Sequence, residues 1–294
     1  MQKKERVIVF SLGAVLLLIF TFTDLQISTV LFTKNLYGRI FEIIGEIPFL
    51  FLSLFGCCLL FRFRARKNLV CNIASAAVCG CLILYFTYMG GFMTWRYLCG
   101  NLGRISTLWG ALIGALLLFF AAFCAFKIPK ENAHKAVTYG IIALVYFAAL
   151  IVVMNLIKTA WGRMRLREMT DPLTQFTPWY IITNRGGFDN RYASFPSGHS
   201  MNSAAIILAV LLPSFVPMLS AQRKNIKIAV YTWTLLVGVS RVVMGAHFAS
   251  DVTVGILLSL TLFELTCTVV SKLRKEDSLT GSNATKSCLK TKGK

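Results

Sequence analysis

The chain has 294 residues, of which 56% are hydrophobic and only 15% charged, with a mean hydropathy of +0.67. That balance excludes an ordinary soluble domain and implies an integral membrane protein. The formal net charge of +19 invites a nucleic-acid reading, but the basic residues stand in short segments between apolar runs, so no nucleic-acid partner is expected.

Apolar stretches long enough to cross a bilayer fall near 7–23, 47–61, 69–89, 107–126, 136–157, 200–219, 226–244 and 250–271. They predict an all-α, polytopic transmembrane bundle of about eight spans. The first stretch follows Lys3, Lys4 and Arg6 without a small-residue cleavage site after it, so it is expected to be a retained span. No internal repeat or linker interrupts the series. The nine cysteines form no Cys-x-x-Cys pair and lie mostly inside the apolar runs, where they read as small buried residues.

Most of the 31 Lys and Arg residues fall on one side of this topology. That side receives the N-terminus, Arg62–Lys67, Lys127–Lys135, Arg223–Lys227 and the tail after Lys272. It is therefore expected to be cytoplasmic, with both termini inside. Trp95, Trp161, Trp179 and Tyr180 then lie near the outer boundary, and the sequon at Asn283 falls in the cytoplasmic tail. Two outer segments break the charge bias. The long loop 158–199 carries six basic residues, and the short loop before the last span carries Arg241 and His247. An anionic ligand at the outer surface gives a local reason for them.

Three stretches meet on that side. They are Lys158–Arg165 at the end of the fifth span, Pro196–His199 at the start of the sixth, and Ser240–Asp251 at the seam of the last two. A helix start with Pro, Ser and Gly offers unpaired backbone N–H groups to an anion. In a helix, His247 and Asp251 would share one face, so the carboxylate is expected to hold the imidazole in one tautomer. Lys158, Arg165 and Arg241 can surround a tetrahedral dianion, the arginines with forked donors. One histidine, made nucleophilic by the carboxylate, can then attack phosphorus while another protonates the leaving alkoxide. No metal pattern accompanies them: there are three histidines, and His134 belongs to an inside loop. Neither a metal nor a cofactor is expected.

Together, Lys-x6-Arg, Pro-Ser-Gly-His and Ser-Arg-x5-His-x3-Asp resemble the signature of the type 2 phosphatidic acid phosphatase superfamily of membrane lipid phosphatases, over roughly residues 136–271. The resemblance implies His247 as the nucleophile of a phosphohistidine intermediate, Asp251 as its orienter and His199 as the general acid. Lys158, Arg165, Arg241 and the Ser197–Gly198 turn would cradle the phosphate. Leu166 stands where that family usually has proline, which puts the aim of Arg165 in question. The expected organisation is 1–135 as N-terminal spans without an assigned role, 136–271 as the catalytic core and 272–294 as a basic cytoplasmic tail.

The expected activity is hydrolysis of a lipid phosphate or pyrophosphate at the outer face, of the undecaprenyl pyrophosphate, phosphatidylglycerophosphate or phosphatidic acid type, in that order. Transfer of phosphate to a second lipid is the alternative within the family, and a non-catalytic phospholipid-binding protein or a transporter the alternatives outside it. The intact His-His-Asp set argues against mere binding, and the outer clustering of cations against transport. Arg185 and Arg191 are read as solvated loop charges, Arg163 and Arg167 as charges that either serve the site or face headgroups. Asp24, Glu42 and Glu46 are expected to mark interfacial edges, and Glu264 to bond another helix.

Overall fold

A computed structural model describes residues 3–64, 68–99, 105–186 and 189–291. Arg66, Lys67, Arg104, Lys292 and Lys294, used above for orientation, lie outside the described residues, as do the side chains of Cys99 and of the tail from Lys275. Every regular element among the described residues is helical: α1 (Lys3–Leu31), α2 (Leu36–Ile44), α3 (Ile47–Arg62), α4 (Leu69–Cys99), α5 (Ile105–Lys127), α6 (Ala133–Trp161), α7 (Pro172–Gln175), α8 (Gly198–Ala204), α9 (Arg223–Val243) and α10 (Ala249–Thr291), with short 3₁₀ turns between some of them. A helix satisfies its own backbone, as a segment in hydrocarbon must.

Seven helical segments are long and apolar enough to cross a membrane: Lys3–Leu31, Leu36–Arg62, Leu69–Leu98, Leu108–Lys127, Lys130–Trp161, Arg223–Val243 and Ala249–Arg274. The sixth of the eight expected spans is instead a shorter apolar piece, Gly198–Ser214. It begins as the seven-residue α8 and continues as ten residues of 3₁₀ helix, Ala205–Ser214. The tighter winding rises about 2.0 Å per residue against 1.5 Å, so this piece still extends ~30 Å, near the thickness of the hydrocarbon core.

The expected span at 47–61 starts earlier and is broken in two. Pro48 stands in the first turn of α3, and its ring would clash with the carbonyl four residues back, at Ile44, where α2 ends. Glu46 lies at that break.

The buried core joins both halves of the chain. Phe49, Leu59, Tyr139, Tyr146, Met201 and Leu260 belong to one cluster that draws on α3, α6, α8 and α10. Small residues let these helices approach: a Cβ on Gly140 would lie 2.8 Å from the carbonyl oxygen of Gly56. At the end of the bundle that carries the N-terminus, α1 is tied by Arg6 to Glu264 at 3.0 Å and by Glu5 to Lys227 at 2.8 Å. The bond from Glu264 to another helix agrees with the expectation. Among the cysteines, Cys57, Cys58 and Cys79 are buried, whereas Cys71, Cys81 and Cys124 are exposed on the apolar surface.

Candidate active site

Every residue of the three motifs lies at the opposite end of the bundle. α6 stops at Gly162, whose left-handed conformation (φ 62°) lets its N–H return to the Lys158 carbonyl at 3.3 Å. A Cβ there would fall 2.4 Å from the Gly186 nitrogen, so the long loop folds tightly back over the helix end. Trp161 anchors that loop: it stacks on Phe195 with centroids 4.7 Å apart, and its Nε1 donates to the Trp179 carbonyl at 2.6 Å. Trp179 in turn donates to Thr21 of α1 at 3.1 Å. These aromatics lock the loop onto the bundle.

The loop then delivers Ser194–Ser197 to the start of α8. Ser197 caps that helix, accepting from the Ser200 N–H at 3.3 Å, and its own N–H donates to the Asp251 carbonyl at 3.0 Å. By helix geometry the N–H groups of Gly198 and His199 have no acceptor within α8. The space over Gly198 is narrow, since a Cβ there would meet the Met154 sulfur at 2.9 Å and lie 3.8 Å from Cε of Lys158.

His247 is 3% exposed and sits before α10 rather than in it, after Gly245 (φ 59°) has turned the chain out of α9. The expected pairing of His247 with the Asp251 carboxylate is accordingly replaced. Nδ1 of His247 lies 2.6 Å from the Ser194 carbonyl oxygen and 3.9 Å from Oδ2 of Asp251. A carbonyl only accepts, so Nδ1 carries the proton and Nε2 keeps its lone pair.

The Asp251 carboxylate is occupied elsewhere. It accepts from Arg163 at 2.6 Å, from the Ser194 hydroxyl at 2.6 Å and from the Phe248 N–H at 2.9 Å. Ser194 therefore links the carboxylate to the imidazole, one group through its hydroxyl and the other through its carbonyl. Arg163 is wholly buried and does not face headgroups. It bridges Asp251 to Asp24 of α1, at 2.8 Å, and lies over the Phe248 ring at 4.1 Å. Asp24 is no interfacial marker either, because it also accepts from the Ser250 N–H at 3.0 Å.

The three expected cations converge on His247. Burial first, then the charges of Lys158, Arg165, Arg241 and His199, hold its proton affinity well below the ordinary 6.5, so the imidazole is neutral at pH 7. Lys158 donates to the Ala193 carbonyl at 2.7 Å, and Arg165 to Asn190 at 2.9 Å. Burial, with Arg167 and Arg241 nearby, lowers Arg165 to about 10, which leaves it charged.

Arg241 is 2% exposed and donates through Nη2 to Glu42 of α2 at 3.0 Å. Its Nε and Nη1, and the Nε of Arg165, are buried without a hydrogen-bond partner among the described residues. Buried guanidinium donors are costly unless paired, and an anion with several acceptor oxygens would satisfy them. Among the described residues, no three His, Cys, Asp or Glu side chains gather as a metal site requires.

Leu166 does not disturb this arrangement. Arg165 has φ −79° and ψ 142°, the extended region that a following proline would have imposed, and Leu166 itself is buried. Of the remaining loop charges, Arg191 pairs with exposed Asp189 at 2.8 Å, as a solvated charge would, and Arg167 lies 3.7 Å from Glu42 and 3.4 Å from Glu168.

His199 is 12% exposed. Its Nδ1 lies 3.7 Å from Oε1 of Glu46 and its Nε2 3.4 Å from the Glu42 carbonyl oxygen, with the Tyr97 ring edge-on at 5.2 Å. Glu42 and Glu46, expected at interfacial edges, thus stand inside the site. The sequence reading missed their position, together with the linking role of Ser194.

The family model described as PAP2 superfamily matches residues 139–275. The chain is similar to phosphatidylglycerophosphatase B of Bacillus subtilis, 46% identical over 74 residues, covering 24% of this chain and 36% of that protein. It is also similar to lipid A 1-phosphatase of Rhizobium etli, 30% identical over 152 residues, covering 48% and 57%. The enzyme of that name from Rhizobium johnstonii is 27% identical over 184 residues, covering 58% of this chain and 68% of the relative. The chain thus spans less than two thirds of the first two of these relatives. No solved structure matches it.

Proposed function

From the premise that this chain belongs to the PAP2 superfamily through residues 139–275, we propose that it is a membrane lipid phosphatase working through a phosphohistidine on His247. The observation that carries this reading is the state of His247: Nδ1–H is committed to the Ser194 carbonyl, and burial among cations keeps Nε2 unprotonated. Nε2 attacks phosphorus, the bond from phosphorus to the lipid oxygen breaks, and His199 gives that oxygen its proton. Water, deprotonated by the now neutral His199, then attacks phosphorus; the phosphorus–nitrogen bond breaks, its electron pair returns to Nε2 of His247, and phosphate leaves.

Arg241, Arg165 and Lys158 bind the non-bridging oxygens, with the Gly198 and His199 N–H groups at the head of α8. Uncatalysed hydrolysis of phosphate monoesters is slow enough that enzymes accelerate it by up to ~10²¹-fold. Preorganised charge in a site shielded from water is the main source open to this chain. Asp251 acts through Ser194 and Arg163, holding the strap that holds the imidazole.

The site is assigned to the outer face, because the opposite end of the bundle carries most of the Lys and Arg flanking the spans. The phosphate sits at the headgroup plane and the chains of the lipid lie among the helices. The relatives' names point to lipid phosphate monoesters, which brings phosphatidylglycerophosphate and phosphatidic acid to the front beside undecaprenyl pyrophosphate. The test is phosphate release by purified protein from these lipids, run beside His247→Ala. Release from one lipid, abolished in the variant, is the expected result. Silence on all lipids from folded protein would return the site to a phosphotransferase or a non-catalytic binder.

A further inference from the structure

Three of the residues around His199, namely Glu42, Glu46 and Tyr97, come from the part of the chain that the family match leaves uncovered. Glu46 stands at the break between α2 and α3 forced by Pro48, with its carboxylate held in place: Nδ2 of Asn202, one turn after His199 on α8, donates to Oε1 at 2.8 Å. The same oxygen lies 3.7 Å from Nδ1 of His199. On the other edge of the ring, Nε2 has only the long 3.4 Å contact to the Glu42 carbonyl. Tyr97 of α4 closes over the ring from the side. The charged and titratable groups that face His199 are therefore Glu46, Glu42, Arg241, His247 and Tyr97.

Glu42 is already bound to Arg241, Arg39 and, at longer range, Arg167. Glu46 forms no ion pair with an arginine or lysine among the described residues; its charge acts on His199 and, at longer range, on Lys158.

We infer that Glu46 is a positioning residue for the second histidine, turning its Nε2–H toward the departing lipid oxygen and partly offsetting the burial and the positive charge that disfavour a proton on the ring. This rests on the phosphatase reading above. The physical need follows from the surroundings, because a buried histidine placed beside Arg241 holds a proton poorly. A carboxylate on the far nitrogen partly offsets that charge without touching the substrate. When the lipid–oxygen bond breaks, the proton moves from Nε2 to the leaving oxygen and leaves a neutral ring, which can then accept a proton from water.

The test compares two substrates on the full-length protein, a lipid phosphate with an alkoxide leaving group and p-nitrophenyl phosphate, whose leaving group needs no proton. Glu46→Gln is expected to lower turnover of the lipid phosphate by about ten- to a hundredfold, part of what general acid catalysis supplies, while p-nitrophenyl phosphate turnover stays within about twofold. Loss of the negative charge weakens the proton's hold on His199, so the alkaline limb of the rate profile for the lipid moves to lower pH. Glu46→Asp, which keeps the charge, is expected to recover part of the lipid activity. Asn202→Leu, which frees the carboxylate, should show the same substrate split to a smaller degree.

Equal loss on both substrates, or an unmoved alkaline limb, would overturn the inference and leave Glu46 a structural residue. His247→Ala run alongside separates the two claims. A dead His247→Ala with an unaltered Glu46→Gln refutes only the role of Glu46, whereas an active His247→Ala refutes the phosphatase reading itself.

Discussion

Replacing Arg163 by methionine removes a cation that bridges two buried carboxylates. Arg163 is 0% exposed, Asp24 2% and Asp251 0%, with separations of 2.8 and 2.6 Å. The substitution also deletes the bonds that Arg163 donates to the Ser250 hydroxyl and the Thr177 carbonyl, both at 2.8 Å. Removing one partner of a buried ion pair costs about 3–5 kcal/mol, because the charge left behind is uncompensated. That is about two to three and a half powers of ten in the folded-to-unfolded ratio. The assay is unfolding of the detergent-solubilised protein, followed by helical circular dichroism at fixed detergent. Arg191→Met serves as the control, since its pair with Asp189 is 60% and 40% exposed and is expected to leave the midpoint unmoved. Asp24→Asn added to Arg163→Met should recover part of the loss by removing one of the stranded charges. An Arg163→Met protein that unfolds at the control's midpoint would refute the reasoning.

Arg241→Lys keeps the charge but not the fork, and the unpaired Nε and Nη1 donors have no equivalent in an ammonium. It should reduce kcat/KM for phosphate release by about 10²–10³-fold, the scale seen when one oxyanion donor is removed; wild-type kinetics would contradict this. The pH behaviour follows from His247, whose proton affinity is held below 6.5 in the folded protein. Below pH 6.5 an unfolded chain takes up the proton that the folded one refuses, so this residue's contribution to stability falls as pH drops from 6.5 toward the folded value. The acid limb of kcat/KM should likewise lie below pH 6.5, and a limb above it would count against a neutral resting His247. Because the cations supply the positive charge, EDTA should leave phosphate release unchanged, and loss restored by a divalent ion would contradict that.

The motif residues were legible because their chemistry is carried by side chains that stand near one another in the chain, between Lys158 and Asp251, at helix ends that topology puts on one side. The expected phosphate-binding and histidine positions do converge in space. What escaped the reading has physical reasons. Ser194 acts on His247 through its backbone carbonyl, a group every residue has, so nothing in the side-chain pattern marks it. His247 and Asp251 looked like a helical pair, but Gly245 at φ 59° ends α9 and α10 begins only at Ala249, so the four-residue spacing does not close their hydrogen bond.

Asp24, Glu42 and Glu46 reach the site from segments more than a hundred residues away in sequence. Their signal was present: an acidic residue within or beside an apolar run is costly unless a partner waits for it. Which partner was not readable, since that depends on how α1 and α2 pack against α9 and α10. The shortened sixth span escaped for another reason. An apolar run looks the same whether it winds as an α-helix or, as over Ala205–Ser214, stretches as a 3₁₀ helix.

The central claim is that phosphate passes through Nε2 of His247. The direct measurement is a rapid acid-free quench of the protein during turnover of a lipid carrying radiolabelled phosphate, followed by mapping of the label. Base-stable, acid-labile phosphate on the peptide containing His247, absent from His247→Ala, is the expected result. Label on another residue, or steady turnover by His247→Ala, would contradict the account.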